Sequence, residues 1–233
     1  MHGLYLPDFA GTGKVYLRGA AYHQAIRVQR HRVGERLWLT NGKGLIGAAL
    51  VTAIRPSEAE CEVGEVLERP GEPPAPVALV AAVLKQPMRM EWLVEKAVEL
   101  GATALYFLPM ARSLRREANK ARLIRVAIAA LTQNLRSLLP QIEVLQNWEA
   151  VPWESYPQRL MGEIGATTSL RAAVAQGPQP TLWVVGPEGD FTPEEIAYLR
   201  QKNVQGVSLG RLRLRAETAA LTFLSYLKSV WEY

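Results

Sequence analysis

The sequence predicts an α/β protein in which a small β-barrel domain, residues 1–72, precedes a larger domain, residues 73–233, built on a mostly parallel sheet covered by helices. Three observations predict this. Up to about residue 68 the apolar residues alternate in strand-like runs without a helical period. The segment ERPGEPPAP, residues 68–76, then sets four prolines and a glycine among charged residues, so neither a helix nor a central strand continues through it. Beyond it, apolar runs such as VALVAAVLK, ALYFLPM and TLWVVG alternate with segments of helical period.

In the first domain, KVYLRG, ERLWLTNGKGLIGAALVTAI and AECEVGEVLE read as strands, with Asn41-Gly42 expected to supply the two positive-φ residues of a tight hairpin. A barrel of this size suits a binding module. In the second, RMEWLVEKAVELG reads as a helix with Trp92, Leu93, Ala97 and Leu100 on its apolar face and Gly101 as its stop. A strand ALYFLPM, a long helix over residues 118–139 ended by Pro140, and strands IEVL, RLMGEI and TLWVVG follow. Thr192-Pro193-Glu194-Glu195 announces a helix, with a hydroxyl cap, proline at the first helical position and a glutamate completing a capping box. A short strand GVSLG and a final helix over residues 216–231 close the chain.

Composition narrows the class of function. The formal charge of +5 favours an anionic partner, and the charge is clustered: Arg112, Arg115, Arg116, Lys120, Arg122 and Arg125 in one segment, Arg27, Arg30, Arg32 and Arg36 in another. Each cluster alone reads equally as a solvated face; two together tilt the reading towards RNA. The single cysteine, Cys61, excludes an intramolecular disulfide framework and a cysteine-cluster zinc site, and is expected to be a part-buried strand residue. The longest purely apolar stretch, residues 77–84, is too short to span a bilayer, and the N-terminus lacks the layout of a signal peptide, so a cytoplasmic protein without a membrane partner is expected. His2, His23 and His31 all fall in the first domain, which leaves no histidine base and no histidine metal site for the second. No metal is expected.

In open α/β sheets the ligand site forms at the carboxyl ends of strands. Two loops there stand out. Gly186-Pro187-Glu188-Gly189-Asp190 follows TLWVVG, its glycines permitting close backbone approach and its proline stiffening the turn. Leu209-Gly210-Arg211-Leu212-Arg213-Leu214-Arg215 follows GVSLG and leads into the last helix, and an extended course would put its arginines on one side and its leucines on the other. Glu195, Glu217 and Thr218 are each explained as helix-start residues when taken alone. A G-x-G-x-x-G turn, a Walker A loop and a G-x-S-x-G elbow are all missing from the sequence.

Taken together, GPEGDFTPEEI and VSLGRLRLRAETAAL resemble the paired C-terminal signatures of the SPOUT-class 16S ribosomal RNA uridine N3-methyltransferases, the small-subunit methyltransferase E family. The likeness continues upstream through Arg89-Met90-Glu91-Trp92, Lys96, Glu99-Leu100-Gly101, Pro109, Arg112-Ser113, Gln133, Arg136 and Pro140, and into the first domain from His23 to Glu35, so it covers nearly the whole chain. The resemblance implies a PUA-like first domain, a second domain with a C-terminal trefoil knot, S-adenosylmethionine as methyl donor, 16S ribosomal RNA or the small subunit as partner, and a homodimer with its sites at the subunit interface. Carried over by position, Gly186, Pro187, Glu188, Gly189, Leu209, Gly210, Leu214, Thr218 and Ala219 would form the donor pocket. Arg215 and, less favoured, Arg136 would stabilise charge on the uridine, with Glu217 the candidate carboxylate base. Arg27, Arg30, Arg32 and Arg112 would contact RNA. Asp190 stands where the family has a second glycine, Leu212 where it commonly has arginine, Gln29 interrupts the segment before His31, and Gly3 stands where an arginine is usual. Methylation of another RNA, on transfer RNA or a ribose hydroxyl, and a catalytically idle ribosome-assembly protein are the alternative readings.

Overall fold

The structure is a computed structural model that describes residues 3–233; His2 lies outside them. The chain divides into two units, Met1–Glu72 with Ile128–Leu139, and Pro73–Ala127 with Pro140–Tyr233. The first therefore takes in a segment that chain order places well inside the second half.

In the first unit β1 (Leu4–Tyr5), β2 (Gly13–Arg18), β3 (Arg36–Thr40), β4 (Leu45–Ile54) and β5 (Glu58–Glu68) form a five-stranded sheet in the order β1-β3-β4-β5-β2. Alternation sends Leu37, Leu39, Ala49, Val51, Cys61 and Val63 to one face, where they join Leu4, Phe9 and Leu17 in a core. Cys61 is fully buried rather than part-buried, and burial, helped by the neighbouring Glu60 charge, pushes its thiol up to about 11. The short helix α1 (Gly19–Tyr22) runs directly into a π-helical turn, His23–Val28, between β2 and β3.

The turn between β3 and β4 differs from the expected tight hairpin. It spans residues 41–44, and the positive φ angles fall on Gly42 (68°) and Gly44 (115°) while Asn41 is absent from the positive-φ residues. Asn41 acts through its side chain: Oδ1 accepts from the Lys43 and Leu45 amides at 2.8 and 3.0 Å, and Nδ2 donates to the Phe9 carbonyl at 3.0 Å. The side chain thus replaces the backbone pairing that a two-residue turn would make.

A buried ion pair fastens residues 136–138 to the end of the first segment of this unit. Arg136 Nε and Nη2 donate to Glu72 Oε2 at 3.0 and 2.9 Å, and the Ser137 amide, Ser137 hydroxyl and Leu138 amide donate to Oε1 at 3.1, 2.9 and 2.8 Å. The side chains are 7% and 1% exposed, so both charges are withdrawn from water and satisfied by each other and by backbone.

In the second unit β6 (Val77–Ala82), β7 (Ala104–Leu108), β8 (Gln141–Val144), β9 (Gln158–Gly162), β10 (Thr181–Val185) and β11 (Gln205–Val207) form one sheet, parallel at every pairing, in the order β11-β9-β10-β6-β7-β8. β6, β7 and β10 are buried at every position, as strands covered on both faces must be. The helices are α2 (Pro87–Glu99), α3 (Lys120–Asn134), which continues into the first unit, α4 (Leu170–Ala173), α5 (Pro193–Gln201) and α6 (Ala216–Trp231). The α2 core face is Met90, Leu93, Val94, Ala97 and Val98; Trp92, expected there, is 45% exposed. The helix expected to run to residue 139 stops at Asn134, because Leu135 turns into the left-handed region at φ 52°. Thr192 caps α5 in the expected capping box. Trp183 of β10 stacks on Phe223 of α6 with ring centroids 4.4 Å apart, which fixes α6 over the centre of the sheet. Among the described residues no helix is long and apolar enough to cross a membrane, and no three His, Cys, Asp or Glu side chains gather as a metal site would need.

Candidate functional site

From β6 the chain builds outward through β7 and β8, then crosses to the other side for β9, β10 and β11. The order reverses between β6 and β10, and a crevice opens at the carboxyl ends of parallel strands where such a reversal occurs. A cavity of about 840 Å³ lies there. Its walls come from the ends of β9 and β10, the start of α2, and the loop from β11 to α6.

The β10 loop is held in a single course. The Asp190 amide donates to the Pro187 carbonyl at 3.0 Å, and Asp190, at φ 66°, accepts from the Phe191 amide through its own Oδ1 at 2.9 Å. A side chain in place of the Gly186 hydrogen would meet the Phe191 ring at 3.1 Å, so the glycine lets the aromatic ring close over the turn. Glu195 does more than complete the cap: Oε2 accepts from the Thr192 amide and Oε1 from the Ala111 amide, both at 2.9 Å, tying the loop after β7 to the start of α5. Arg112, on that same loop, donates Nη1 to the carbonyls of Gly189 and Phe191 at 3.0 and 3.2 Å, bracing the β10 loop from outside while remaining exposed.

Charge is arranged around Arg89, near the start of α2. Its Nε donates to Glu217 Oε1 at 2.9 Å, its Nη2 pairs with Glu217 Oε2, and its Nη1 meets Glu188 Oε1 at 3.2 Å. One guanidinium thus joins α2, the β10 loop and the first turn of α6. Burial alone would push the Glu217 carboxyl up; the Arg89 hydrogen bonds, the residue's own backbone N–H and the Arg89 and Arg215 charges outweigh it and hold the group below its ordinary range. Arg213 reaches across from the β11 loop to Asp190 at 3.2 Å. Arg215 lines the cavity and has no ion pair among the described residues.

Of the residues expected at a donor pocket, Gly186, Pro187, Glu188, Leu209, Gly210, Leu214 and Ala219 line this cavity together with Arg215. Gly189 and Thr218 do not; both are exposed beside it. Glu217 sits behind the wall, 6% exposed, with its oxygens engaged by Arg89, an arrangement unlike that of a free base. Arg136 belongs to the first unit, where its guanidinium pairs with Glu72. Arg211 and the leucines do not separate onto two sides, since Leu212 is 83% exposed and still lines the cavity beside Arg213. Arg27, Arg30 and Arg32 are exposed on the segment between α1 and β3 of the first unit.

Sequence reasoning passed over Met161, Gly162, Glu163 and Ile164, which supply a third wall at the end of β9, and gave Arg89 no task. The rule that marked the ends of the other two strands applies equally to RLMGEI, which is followed by neither a Gly-Pro turn nor a run of arginines. Trp183 also lines the cavity, and its buried Nε1 has no hydrogen-bond partner among the described residues. A buried donor left over at a cavity wall is a place for a ligand acceptor.

A family model described as an RNA methyltransferase domain matches residues 71–228. Among curated relatives, Ribosomal RNA small subunit methyltransferase E of Bacillus subtilis is 26% identical over 94% of this chain and 89% of its own length. The protein of that name from Mycobacterium bovis is 29% identical over 98% of this chain and 92% of its own. Among solved structures, Ribosomal RNA small subunit methyltransferase E from Neisseria gonorrhoeae bound to S-adenosyl methionine superposes with a TM-score of 0.88 at 28% identity, covering 99% of this chain and 98% of that one. With the family model spanning the parallel-sheet unit and both loops of its cavity, this chain belongs to the RNA methyltransferase domain family.

Proposed function

We propose that this chain transfers a methyl group from S-adenosylmethionine to N3 of a uridine in the 16S ribosomal RNA of the small subunit. The observation that carries the proposal is the cavity at the strand-order reversal, walled by the two glycine-containing loops, in a chain that superposes along nearly its full length on a structure with that donor bound. The cavity fits such a molecule. Its volume of about 840 Å³ lies within the range of small-molecule sites, the Gly186 turn leaves backbone exposed, and the unpartnered Trp183 Nε1 is a ready donor. Gly186, Pro187, Leu209, Gly210, Leu214 and Ala219 would hold the donor, with Gly189 and Thr218 supporting from outside. Bound there, it supplies a methyl carbon attached to a cationic sulfur.

The protein's own part is to orient the uridine and to stabilise the charge left when N3 loses its proton. Arg215 is suited to that second task, being the cavity arginine without an ion pair, and a guanidinium near O2 or O4 favours the anionic ring. Glu217 keeps Arg89 in place, and the N3 proton leaves to water. We assign the β-sheet unit as a PUA-like RNA-binding module, with a domain boundary near residues 72 and 73 and with Arg27, Arg30 and Arg32 as phosphate contacts and Arg112 near the RNA path. The working form is a cytoplasmic homodimer with the trefoil knot of its family. Exposed Met88, Trp92, Leu114 and Leu212 support an apolar meeting surface for a second copy. Titration of S-adenosylmethionine into the protein, followed by transfer of labelled methyl to unmethylated small subunits, tests the reading: saturable binding and RNA labelling are expected, and binding without labelling of any RNA would overturn it.

A further inference from the structure

The outer face of the sheet in the first unit carries a cleft of about 550 Å³, separate from the donor cavity in every lining residue. Sheet register builds its floor. Trp38 of β3 stands opposite Ala48 of β4, which stands opposite Glu65 of β5, and residues directly opposite in an antiparallel ladder share a face. The small alanine between a tryptophan and a glutamate leaves a gap in the row. Glu65 owes its direction to a bulge: the register passes from Ala48↔Glu65 to Ala49↔Val63, leaving Gly64 as the extra residue. Strict alternation from the buried Val63 would turn Glu65 inward; the bulge turns it outward, and re-aiming a side chain is a recurrent use of bulges beside sites. Arg36 lies two residues before Trp38 on the same strand, and Gln29 and His31 form the rim.

Several polar groups here are unused. Gln29 Oε1 is buried with no hydrogen-bond partner among the described residues. Arg36 and Glu65 carry opposite charges, line one cleft, and are in no ion pair among the described residues. A protein that needed them only for solubility would gain nothing from a bulge that turns Glu65 towards a tryptophan and an arginine.

We propose that this cleft is a pocket for one unpaired guanine of single-stranded RNA, an inference that rests on the reading above that the chain works on RNA. Unstacked bases are taken up on aromatic faces and read along their hydrogen-bonding edges, and Trp38 offers the face. A carboxylate accepts two adjacent N–H groups, and guanine is the base that presents them side by side, at N1 and the exocyclic amine. Adenine and cytosine offer an amine beside an acceptor, and uracil a single N–H between two carbonyls. Arg36 complements the O6 and N7 acceptors of the same base, and Gln29 Oε1 accepts a further N–H. Exposed Arg27, Arg30 and Arg32 on the adjoining segment would take the flanking phosphates.

The test is fluorescence anisotropy of short labelled oligouridylates carrying one central guanosine, inosine or adenosine, bound to the full chain at fixed salt. Guanosine should bind about tenfold tighter than adenosine, the scale of one bidentate base contact, with inosine, which lacks the amine, between them. Glu65→Gln should abolish the preference. Trp38→Ala should weaken all three by about tenfold and Trp38→Phe by much less, with thermal melts reporting whether each variant is folded. Equal binding of guanosine and adenosine by the wild type, or an unchanged preference in Glu65→Gln, overturns the proposal. If methyl transfer proceeds while the preference is missing, only the pocket falls. If no RNA is methylated, the reading above falls and the guanosine comparison still decides the pocket.

Discussion

Arg89 and Arg213 reach the cavity already paired, to Glu188 and Glu217 in one case and to Asp190 in the other, while Arg215 lines it with no ion pair among the described residues, which is the ground for the role proposed above. Arg215→Ala should lower kcat by about 100-fold or more, the scale of removing one charge-stabilising donor, while donor affinity changes little. Turnover near wild type in a folded, donor-binding variant would remove the role. Asp190, which stands where the resemblance expects a glycine, pairs with Arg213; with side chains 58% and 73% exposed the pair is screened by solvent and serves geometry more than stability. Glu217 allows a prediction in pH. Its folded carboxyl titrates below its ordinary value of 4.5, so the stabilisation from its pairing with Arg89 is fully present above that value and is lost as pH falls through the lower folded one. Acid unfolding of wild type and Glu217→Gln followed side by side should show a steeper loss in the wild type below pH 4.5; parallel curves would contradict it.

At the scale of elements, what could be read in advance was what local chemistry dictates. Thr192 through Glu195 could be read as a capping box because cap, proline and glutamate act within one turn. The strands β6, β7 and β10 could be read because burial on both faces favours near-continuous apolar runs, with Thr181 of β10 buried by hydrogen-bonding its hydroxyl to Gln158. The end of α3 could not: it is set by Leu135 at φ 52° and by residues 136–138 bonding to Glu72, whose distance in sequence of 64 to 66 positions leaves no local trace. For the same reason the pairing of Arg136 with Glu72 could not be read, since an arginine expected within a helix over residues 118–139 carries no sign that a buried carboxylate awaits it. Glu72→Ala should destabilise the protein by about 3–5 kcal/mol, because it removes the carboxylate that a buried guanidinium and three neighbouring donors share. Denaturant unfolding measures this, and Arg136→Met combined with Glu72→Ala should cost less than the sum of the two. Additive costs would show that the two groups do not act as a pair.

For the whole molecule, the change from the first sheet to the parallel sheet follows the change of apolar period at the proline-rich segment, whereas the return of residues 128–139 to the first unit left no trace there; the two loops that wall the cavity were visible in their glycines. The strand order was not. Nothing in periodicity says that β9 and β10 cross back past β6, yet that reversal puts the β9 end, the β10 loop and the start of α2 around one cavity. Whether this cavity serves one reaction on one atom is decided by mass mapping of small-subunit RNA after incubation with the protein and labelled S-adenosylmethionine. A single new N3-methyluridine is the predicted result. Label on a ribose hydroxyl, on another base or on transfer RNA alone would contradict it.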